Sequence, residues 1–188
     1  MTESGPPDGW TYEAGVLTAG EEAEIIERVA ALPFKEVVFR GFTAKRRVVQ
    51  LGWVYDFESR GLTPAAPLEP WLDPLREHAG RLAETDPAAF EEILVTEYQP
   101  GAQIGWHRDA PAFGAKVVGV SLAGTCRMRF RRKAGEKWET WAQVLEPRSA
   151  YVIGGEARSA WYHSIPGTTE LRYSITFRTL KRRPPASA

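Results

Sequence analysis

Residues 171–179, Leu-Arg-Tyr-Ser-Ile-Thr-Phe-Arg-Thr, alternate between two kinds of side chain without interruption. Successive side chains of a β-strand point to opposite faces of the sheet, so this period of two predicts a strand. The apolar face carries Tyr173, Ile175 and Phe177, and the polar face carries Arg172, Ser174, Thr176 and Arg178. We expect the apolar face to lie in the core. The polar face is either ordinary exposed surface or an inner surface whose arginines can bind a small dicarboxylate through paired N–H groups.

Seven further strand-like runs lie between turn residues upstream of this segment. They cover residues 93–98, 103–107, 117–122, 127–131, 141–145, 150–153 and 161–165. Eight short strands at this spacing predict a jelly roll, that is a double-stranded β-helix, or a closed barrel. The expected fold class is therefore α+β and mostly β.

Two helices are predicted ahead of these strands, and we expect them to pack outside the sheets. Thr18 and Glu21 form a capping-box pattern that begins a helix over residues 19–32. Asp73 as N-cap and Pro74 at the first helical position begin a second helix. The buried stripe expected for this helix is Leu75, Ala79 and Leu82.

A chain of 188 residues is long enough for one domain with a substantial core. We divide it into an N-terminal extension over residues 1–92, a jelly-roll core over 93–180 and a basic, proline-containing tail over 181–188. Within the extension, residues 36–40 and 48–57 predict two strands that pair with each other.

The composition excludes several classes of protein. With 43% hydrophobic and 26% charged residues, the chain is typical of a folded globular protein. It has no apolar run near the roughly 20 residues of a membrane span and no signal peptide, so we expect a cytoplasmic protein without a membrane partner. The single cysteine, Cys126, excludes an internal disulfide and metal sites that need two thiolates. Any metal ion must therefore bind histidine and carboxylate side chains.

The charge of the chain is divided unevenly between its halves. Residues 1–95 carry nine Lys and Arg against 17 Asp and Glu, whereas residues 96–188 carry 15 against seven. The halves are therefore −8 and +8, although the whole chain is neutral. A basic half is typical of proteins that bind a polyanion such as nucleic acid, but it also occurs as a dipolar surface without a partner.

Two of the three histidines lie in the strand-rich half, and the third, His78, lies in the second predicted helix. His107 and Asp109 are two residues apart in an extended segment, so their side chains can share one face. His163 would complete a set of two imidazoles and one carboxylate. That set leaves three positions of an octahedral metal ion open, as in non-haem Fe(II) oxygenases. A strand histidine that binds no metal is the alternative interpretation.

Residues 94–180 carry a series of motifs whose order and spacing resemble those of one family. Tyr98-Gln99-Pro100-Gly101 precedes His107-x-Asp109, and Val120-Ser121-Leu122-Ala123-Gly124 follows. Gly154-Gly155-Glu156-Ala157-Arg158 precedes Trp161-Tyr162-His163, and the series ends in Arg172-x-Ser174-x-Thr176-x-Arg178. The series is similar to that of the AlkB-like Fe(II)/2-oxoglutarate-dependent dioxygenases. The strand with two arginines separates this family from other jelly-roll dioxygenases.

The resemblance implies an enzyme that uses Fe(II), 2-oxoglutarate and O2. His107, Asp109 and His163 would bind the iron. Arg172 and Tyr98 would hold the distal carboxylate of 2-oxoglutarate, and Arg178 would serve the carboxylate nearer the metal. The full set implied for the cosubstrate is Thr96, Tyr98, Arg172, Ser174, Thr176 and Arg178. The reaction would convert 2-oxoglutarate to succinate and CO2 and hydroxylate a C–H bond, and an N-methylated base would then release formaldehyde.

Three positions depart from the pattern of the family. Thr96 and Ser174 stand where many members have asparagine, and both can still donate a hydrogen bond. Pro111 stands where several base-repairing members have an acidic residue. The departures leave the cosubstrate site in place but leave the choice of substrate open.

In this family the region ahead of the jelly roll forms a lid that receives the substrate. Here it contains Lys45-Arg46-Arg47 followed by Gly-Trp-Val-Tyr-Asp-Phe at residues 52–57. Basic residues beside aromatic ones suit phosphate contact and the stacking of an extruded base, although alternating aromatics also occur as strand core. The predicted substrate residues are Arg46, Arg47, Trp53, Tyr55 and Phe57, of which Tyr55 or Phe57 would stack the base against His107.

A second basic cluster is formed by Arg127, Arg129, Arg131, Arg132 and Lys133. It either guides a strand of nucleic acid or forms a solvated edge that discourages aggregation. The leading prediction is a monomeric oxidative demethylase that repairs N-alkylated bases in DNA, or also in RNA. The alternative is a dioxygenase of the same fold that acts on a protein side chain or another substrate. A binding module without turnover conflicts with the complete ligand set and both arginines.

Overall fold

The described elements come from a computed structural model, which covers residues 2–39, 42–55 and 61–181. Its strands are β1 (Thr2–Glu3), β2 (Trp10–Glu13), β3 (Lys35–Phe39), β4 (Phe42–Leu51), β5 (Trp53–Tyr55), β6 (Leu62–Pro64), β7 (Phe90–Tyr98), β8 (Ile104–His107), β9 (Phe113–Ala123), β10 (Cys126–Ala134), β11 (Lys137–Leu145), β12 (Ser149–Ile153), β13 (Tyr162–Ile165) and β14 (Arg172–Leu180). Its α-helices are α1 (Ala19–Ala30), α2 (Asp73–Ala83) and α3 (Gly155–Ser159).

Two sheets form the jelly roll. The larger one has seven strands in the order β2-β12-β9-β14-β7-β4-β3, and the smaller one has five in the order β1-β11-β10-β13-β8. A separate hairpin joins β5 and β6. The predicted fold class is thereby confirmed, and all eight strands expected between residues 93 and 179 are present. Strands β3 and β4 pair with each other as expected.

The central strand β14 separates two cores. Its apolar side chains, Tyr173, Ile175 and Phe177, are buried as predicted in a core that also holds apolar residues of α1 and α2. A second core, which contains Met128, Phe130 and Tyr151, lies between the two sheets. The polar face of β14 points toward this second core, and Arg172 on it is 0% exposed. The inner-surface interpretation of the arginine strand is therefore correct.

The first predicted helix begins as the sequence indicates. The Thr18 side chain accepts a hydrogen bond from the Glu21 backbone N–H, and the Glu21 carboxylate accepts one from the Thr18 N–H, which completes the capping box. The helix ends at Ala30, two residues before the predicted end.

The start of α2 differs from the prediction, because Asp73 is not its N-cap. A 3-10 turn over Pro70–Leu72 runs directly into the helix, so Asp73 already has helical backbone angles (φ −59°, ψ −42°). An N-cap residue needs extended backbone to turn its side chain toward the first N–H groups. The Asp73 carboxylate instead accepts a hydrogen bond from Arg76 at 2.9 Å. Leu75 and Ala79 are buried as predicted, whereas Leu82 is half-buried.

The predicted single strand over residues 48–57 is wrong, because Gly52 interrupts it. Gly52 has φ +77°, and a Cβ atom at this position would collide with the carbonyl oxygen of Glu91. Strand β4 therefore ends at Leu51, and the chain turns into the β5–β6 hairpin. Among the described residues, none of the helices has the length and apolar character that a membrane crossing requires.

Helix α1 is fastened to the jelly roll by a buried carboxylate. Glu22 accepts a hydrogen bond from the Ala123 N–H at 2.9 Å and one from the Arg148 guanidinium at 2.7 Å. Ala123 and Arg148 both have positive φ, at +66° and +60°, so the carboxylate holds two turns that the backbone alone disfavours.

We expect the substitution Glu22→Ala to lower the free energy of unfolding by about 1–3 kcal/mol, because it leaves the part-buried N–H of Ala123 and the Arg148 guanidinium without their acceptor. Urea unfolding measures this value. The matched control is Glu24→Ala, an exposed glutamate of the same helix, for which we expect a change within about 0.5 kcal/mol. Equal losses in the two variants would contradict the fastening role.

Candidate metal and cosubstrate site

The structure brings the three predicted metal ligands together. His107 ends β8 and lies directly opposite His163 of β13, with their ring centroids 4.2 Å apart. Asp109 follows in the next loop, and its Oδ2 lies 3.9 Å from the Nε2 of His163. His78 lies elsewhere, on α2, where its Nε2 is 4.0 Å from Glu13.

The protonation of these groups suits a cation. Burial and the neighbouring His107 lower the pKa of His163 to about 3, and burial also lowers the pKa of His107, so both imidazoles are neutral at pH 7. Burial would raise the pKa of Asp109, but the charge of the Arg178 guanidinium outweighs it and holds this pKa well below its usual value. Neutral histidine and anionic carboxylate are the forms that bind a divalent metal ion.

Orphaned atoms indicate where such an ion fits. The Oδ2 of Asp109 is buried and has no hydrogen-bond partner among the described residues. The Nδ1 of His107 lies 2.9 Å from the Gly105 carbonyl, which assigns the ring proton to Nδ1 and leaves Nε2 as a ligand atom. Within the described residues, no group of three or more His, Cys, Asp or Glu side chains is arranged so that it could hold a metal ion. The donor set of two imidazoles and one carboxylate nevertheless fits Fe(II).

Arg172 has the properties of a carboxylate-binding residue. It lies opposite Tyr98 in the β14–β7 pairing, and its guanidinium carbon is 5.1 Å from the centre of the Tyr98 ring. Its Nε donates to the Ser121 hydroxyl at 3.0 Å, whereas its two terminal nitrogens are buried without a partner among the described residues. A buried guanidinium is costly without an anion, and its planar fork matches a carboxylate. The distal carboxylate of 2-oxoglutarate fits this position.

Hydroxyl groups surround the same position. Burial raises the pKa of Tyr98 and raises that of Tyr151 to about 12, so both phenols stay neutral and can donate hydrogen bonds. Ser174 lies between Thr96 and Ser121 in register, and all three are buried. Thr176, two residues further along β14, is buried on the same face. Sequence reasoning missed Tyr151, whose signal was only an aromatic residue in a buried strand.

Arg178 connects the metal ligand to a second buried carboxylate. One terminal nitrogen donates to Asp109 Oδ1 at 3.0 Å, and the other donates to both oxygens of Glu92 at 3.2 and 3.3 Å. Burial would lower the pKa of Arg178, but the two carboxylates outweigh it and raise this pKa. Glu92 is 0% exposed and was missed in the sequence, where it appears only as the residue before a predicted strand.

The predicted substrate residues have unequal surroundings. Arg47 forms a bidentate ion pair with Glu97 at 2.8 and 3.0 Å, so its guanidinium is already engaged within the protein. Arg46 donates to the Gln103 carbonyl at 3.3 Å. Tyr55 is buried against Phe113, with ring centroids 5.8 Å apart, and Trp53 is half-buried in β5. Phe57 lies outside the described residues.

A cavity of about 510 Å³ opens beside Asp109. Its lining includes Tyr55, Arg108, Asp109, Pro111, Arg158 and Ser159. The guanidinium of Arg158 donates to the carbonyls of Asp109 and Ala110 at 3.0 and 2.9 Å, and thereby shapes the loop that carries the metal ligand. In the sequence, Arg158 stands out only as part of a motif, and no pattern places Arg108 in the site.

Comparison with known proteins agrees with this geometry. The family model of the 2OG-Fe(II) oxygenase superfamily matches residues 9–178, which is most of the chain. The chain belongs to this superfamily. The solved structure of OsALKBH1 superimposes on it with a TM-score of 0.72, over 94% of this chain and 99% of that one. At 18% identity, this match shows the fold.

Curated relatives share part of their length with the oxygenase. An Arabidopsis thaliana protein, "Alkylated DNA repair protein ALKBH8 homolog", is 28% identical over 173 residues, which are 80% of this chain and 48% of that protein. The Acanthamoeba polyphaga mimivirus protein L905 is 33% identical over 104 residues, 48% of each chain. The oxygenase thus spans about half the length of these relatives. Family, motifs and fold together make it an AlkB-like Fe(II)/2-oxoglutarate-dependent dioxygenase.

We expect Arg172→Lys to weaken 2-oxoglutarate binding by about 10–100-fold, because an ammonium group cannot replace both charge-assisted hydrogen bonds of the fork. Calorimetric titration of the Mn(II)-loaded protein with 2-oxoglutarate measures the loss. Arg129→Lys, on the outer face of β10, is the control and should bind the cosubstrate like the wild type. Unchanged affinity in Arg172→Lys would remove this residue from the site.

We expect Glu92→Gln to weaken metal binding by about 10–100-fold, since residues that orient a metal ligand affect affinity on this scale. The variant keeps the shape of the side chain but removes the Glu92 carboxylate, which pairs with Arg178 and so helps to hold it against Asp109. Titration of Mn(II) by electron paramagnetic resonance measures the affinity. Glu97→Gln breaks a comparable ion pair, Arg47–Glu97, and should destabilise the fold without loss of Mn(II) affinity. Loss of stability without loss of affinity in Glu92→Gln would make its role purely structural.

Proposed function

We propose that this dioxygenase removes methyl groups from N-alkylated bases of nucleic acid, with DNA as the leading substrate and RNA as the second. The observation that carries the proposal is the cavity beside Asp109, because Tyr55, Arg108 and Arg158 line it together. An aromatic ring beside two cations fits a flat base joined to phosphate groups. The name of the Arabidopsis relative, which refers to alkylated DNA repair, supports the same class of substrate.

The chemistry requires Fe(II), 2-oxoglutarate and O2. Held by His107, Asp109 and His163 and by Arg172, Fe(II) and 2-oxoglutarate would supply an oxidation by O2, in which one oxygen atom would go to succinate as CO2 leaves and the other to a C–H bond of the N-methyl group. The resulting N-hydroxymethyl group loses formaldehyde when its C–N bond breaks, and the base nitrogen recovers its proton. The methyl carbon is oxidised and the base is restored.

The residues of the chain have three tasks in this reaction. Arg172, with the neutral phenol of Tyr98, holds the distal carboxylate of the cosubstrate. Arg178 fixes Asp109 through Oδ1, which leaves Oδ2 available to the metal ion that Asp109 would bind. Tyr55, packed on Phe113, closes one side of the cavity and supplies a ring for stacking. Excluding water from the reacting centre strengthens each of these electrostatic contacts.

Two of the three basic residues of strand β4, Lys45 and Arg46, are proposed phosphate contacts. Lys45 is exposed, and its Nζ lies beside the turn at Gly101. Arg46 is half-buried and makes one hydrogen bond to a backbone carbonyl, so N–H groups remain for a phosphate. Arg47 is assigned to the ion pair with Glu97 and not to the substrate.

We expect the wild-type protein to release formaldehyde and succinate in equal amounts when it receives an N-methylated oligonucleotide with Fe(II) and 2-oxoglutarate. His107→Ala should abolish both products, because a metal ligand is lost. His78→Ala should retain them, because His78 lies on α2 away from the cavity. Both products are measured against a panel of methylated oligonucleotides and a methylated peptide.

The panel separates the proposed activity from its alternative. Succinate release that a peptide stimulates, and that no methylated oligonucleotide stimulates, would replace nucleic acid by a protein substrate. Full activity of His107→Ala combined with loss in His78→Ala would overturn the metal-site assignment itself.

A further inference from the structure

The outer face of the five-stranded sheet carries a row of cations. Arg127, Arg129, Arg131 and Lys133 occupy alternate positions of β10, so they share the face that points away from the inter-sheet core. Their partners across β11 are uncharged: Val144, Ala142, Thr140 and Trp138. We call this surface, together with Trp106 and Tyr162 of the neighbouring strands, the arginine–tryptophan face.

Aromatic rings hold the central arginines in place. The guanidinium carbon of Arg131 lies 4.3 Å from the ring centre of Trp106 and 4.5 Å from that of Trp138. Arg129 also lies over Trp106, at 5.1 Å, and donates to the Ser164 hydroxyl at 3.3 Å. A guanidinium stacked through its flat face keeps the N–H groups of its edge available. The stacking therefore holds the guanidinium groups in place with their N–H groups free to bind an anionic ligand.

The charge of this face is not neutralised within the protein. In the described part of the chain, none of Arg127, Arg129, Arg131 and Lys133 forms an ion pair with a carboxylate. Arg132, on the opposite side of the same strand, differs because it pairs with both Glu139 and Glu156. The uncompensated positive charge is thus confined to the outward-facing row.

The face is continuous with the cavity. Arg108 lines the cavity and also lies over the Tyr162 ring at 4.9 Å. Tyr162 is in turn the register partner of Arg131 across β13 and β10. Because the strand order is β11-β10-β13-β8, three strand spacings, about 14 Å, separate β8 at the cavity from the far side of the face.

We propose that the arginine–tryptophan face is a second binding surface, which holds the sugar-phosphate backbone of the nucleic-acid strand that leaves the cavity. The inference rests on the proposed nucleic-acid substrate and adds a surface outside the lid. Cations two residues apart on a strand lie about 7 Å from one another, in a line that a polyanionic chain can follow. Basic side chains interleaved with aromatic rings are the combination that binds single strands without sequence preference.

The test uses the double variant Arg129→Gln/Arg131→Gln and an unmodified single-stranded oligonucleotide of about 20 nucleotides. Fluorescence anisotropy measures the binding constant at several salt concentrations. We expect the slope of log K against log salt to become shallower by about 1.4, which corresponds to two lost phosphate contacts at about 0.7 each. The matched control is Arg28→Gln/Arg81→Gln, which removes two exposed arginines from α1 and α2 and should keep the wild-type slope.

A second variant, Arg129→Lys/Arg131→Lys, keeps the charges and should retain most of the slope. Each variant is first checked for wild-type thermal stability and for 2-oxoglutarate turnover in the absence of nucleic acid, which should be unchanged because neither arginine lines the cavity. An unchanged slope in Arg129→Gln/Arg131→Gln would overturn the proposal.

Failure of this proposal is distinguishable from failure of the proposed function. A wild-type protein that demethylates oligonucleotides, with a double variant that binds them equally well, rejects only the second surface. A wild-type protein that binds no oligonucleotide and oxidises a peptide rejects both.

Discussion

The central strand β14 is buried on both faces, and this constraint governs the rest of the molecule. One face packs against the helices, so it is apolar, and the other faces the opposite sheet. Water cannot solvate a guanidinium that is 0% exposed, so Arg172 lowers the stability of the fold unless an anion binds it. Its two terminal nitrogens have no hydrogen-bond partner within the part of the chain that the structure describes, which leaves them available to a ligand. Arg178 meets the same constraint differently, by pairing with Glu92 and Asp109.

The two arginines therefore divide one task. Arg178 donates its hydrogen bonds to the carboxylates of Glu92 and Asp109, so its position is fixed before any ligand binds. Among the described residues, the terminal nitrogens of Arg172 have no partner, so we expect a bound dicarboxylate to offset the cost of burying this guanidinium. In the proposed site, binding of the cosubstrate to Arg172 would therefore also raise the stability of the fold, because a ligand that binds only the native state stabilises it.

Local patterns predicted most of the fold, and the reason is visible in particular elements. The alternation in residues 171–179 and the box at Thr18 and Glu21 are encoded within a few residues, so both predictions are confirmed. The start of α2 and the break at Gly52 depend on what the neighbouring chain does. A 3-10 turn precedes Asp73, and the Glu91 carbonyl lies where a side chain at position 52 would go.

The site shows the same difference between features that a local pattern encodes and features that depend on distant parts of the chain. Spacing and resemblance predicted His107, Asp109 and His163 as metal ligands, and the structure places them side by side. The partners that hold the site were invisible in the sequence, because they join positions far apart in the chain. Arg178 and Glu92 are 86 residues apart, and Arg47 and Glu97 are 50 apart. No local pattern distinguishes a lid arginine that binds phosphate from one that binds a glutamate.

The pairing of β1 with β11 and of β2 with β12 determines how the two sheets end. Strand β1 covers the edge of β11 in the five-stranded sheet, and β2 covers the edge of β12 in the seven-stranded one. A single short stretch of chain therefore caps both sheets on the same side of the sandwich. Exposed sheet edges recruit strands from other molecules. Loss of residues 2–13 would uncover both edges at once, and we expect it to favour edge-to-edge aggregation of the oxygenase.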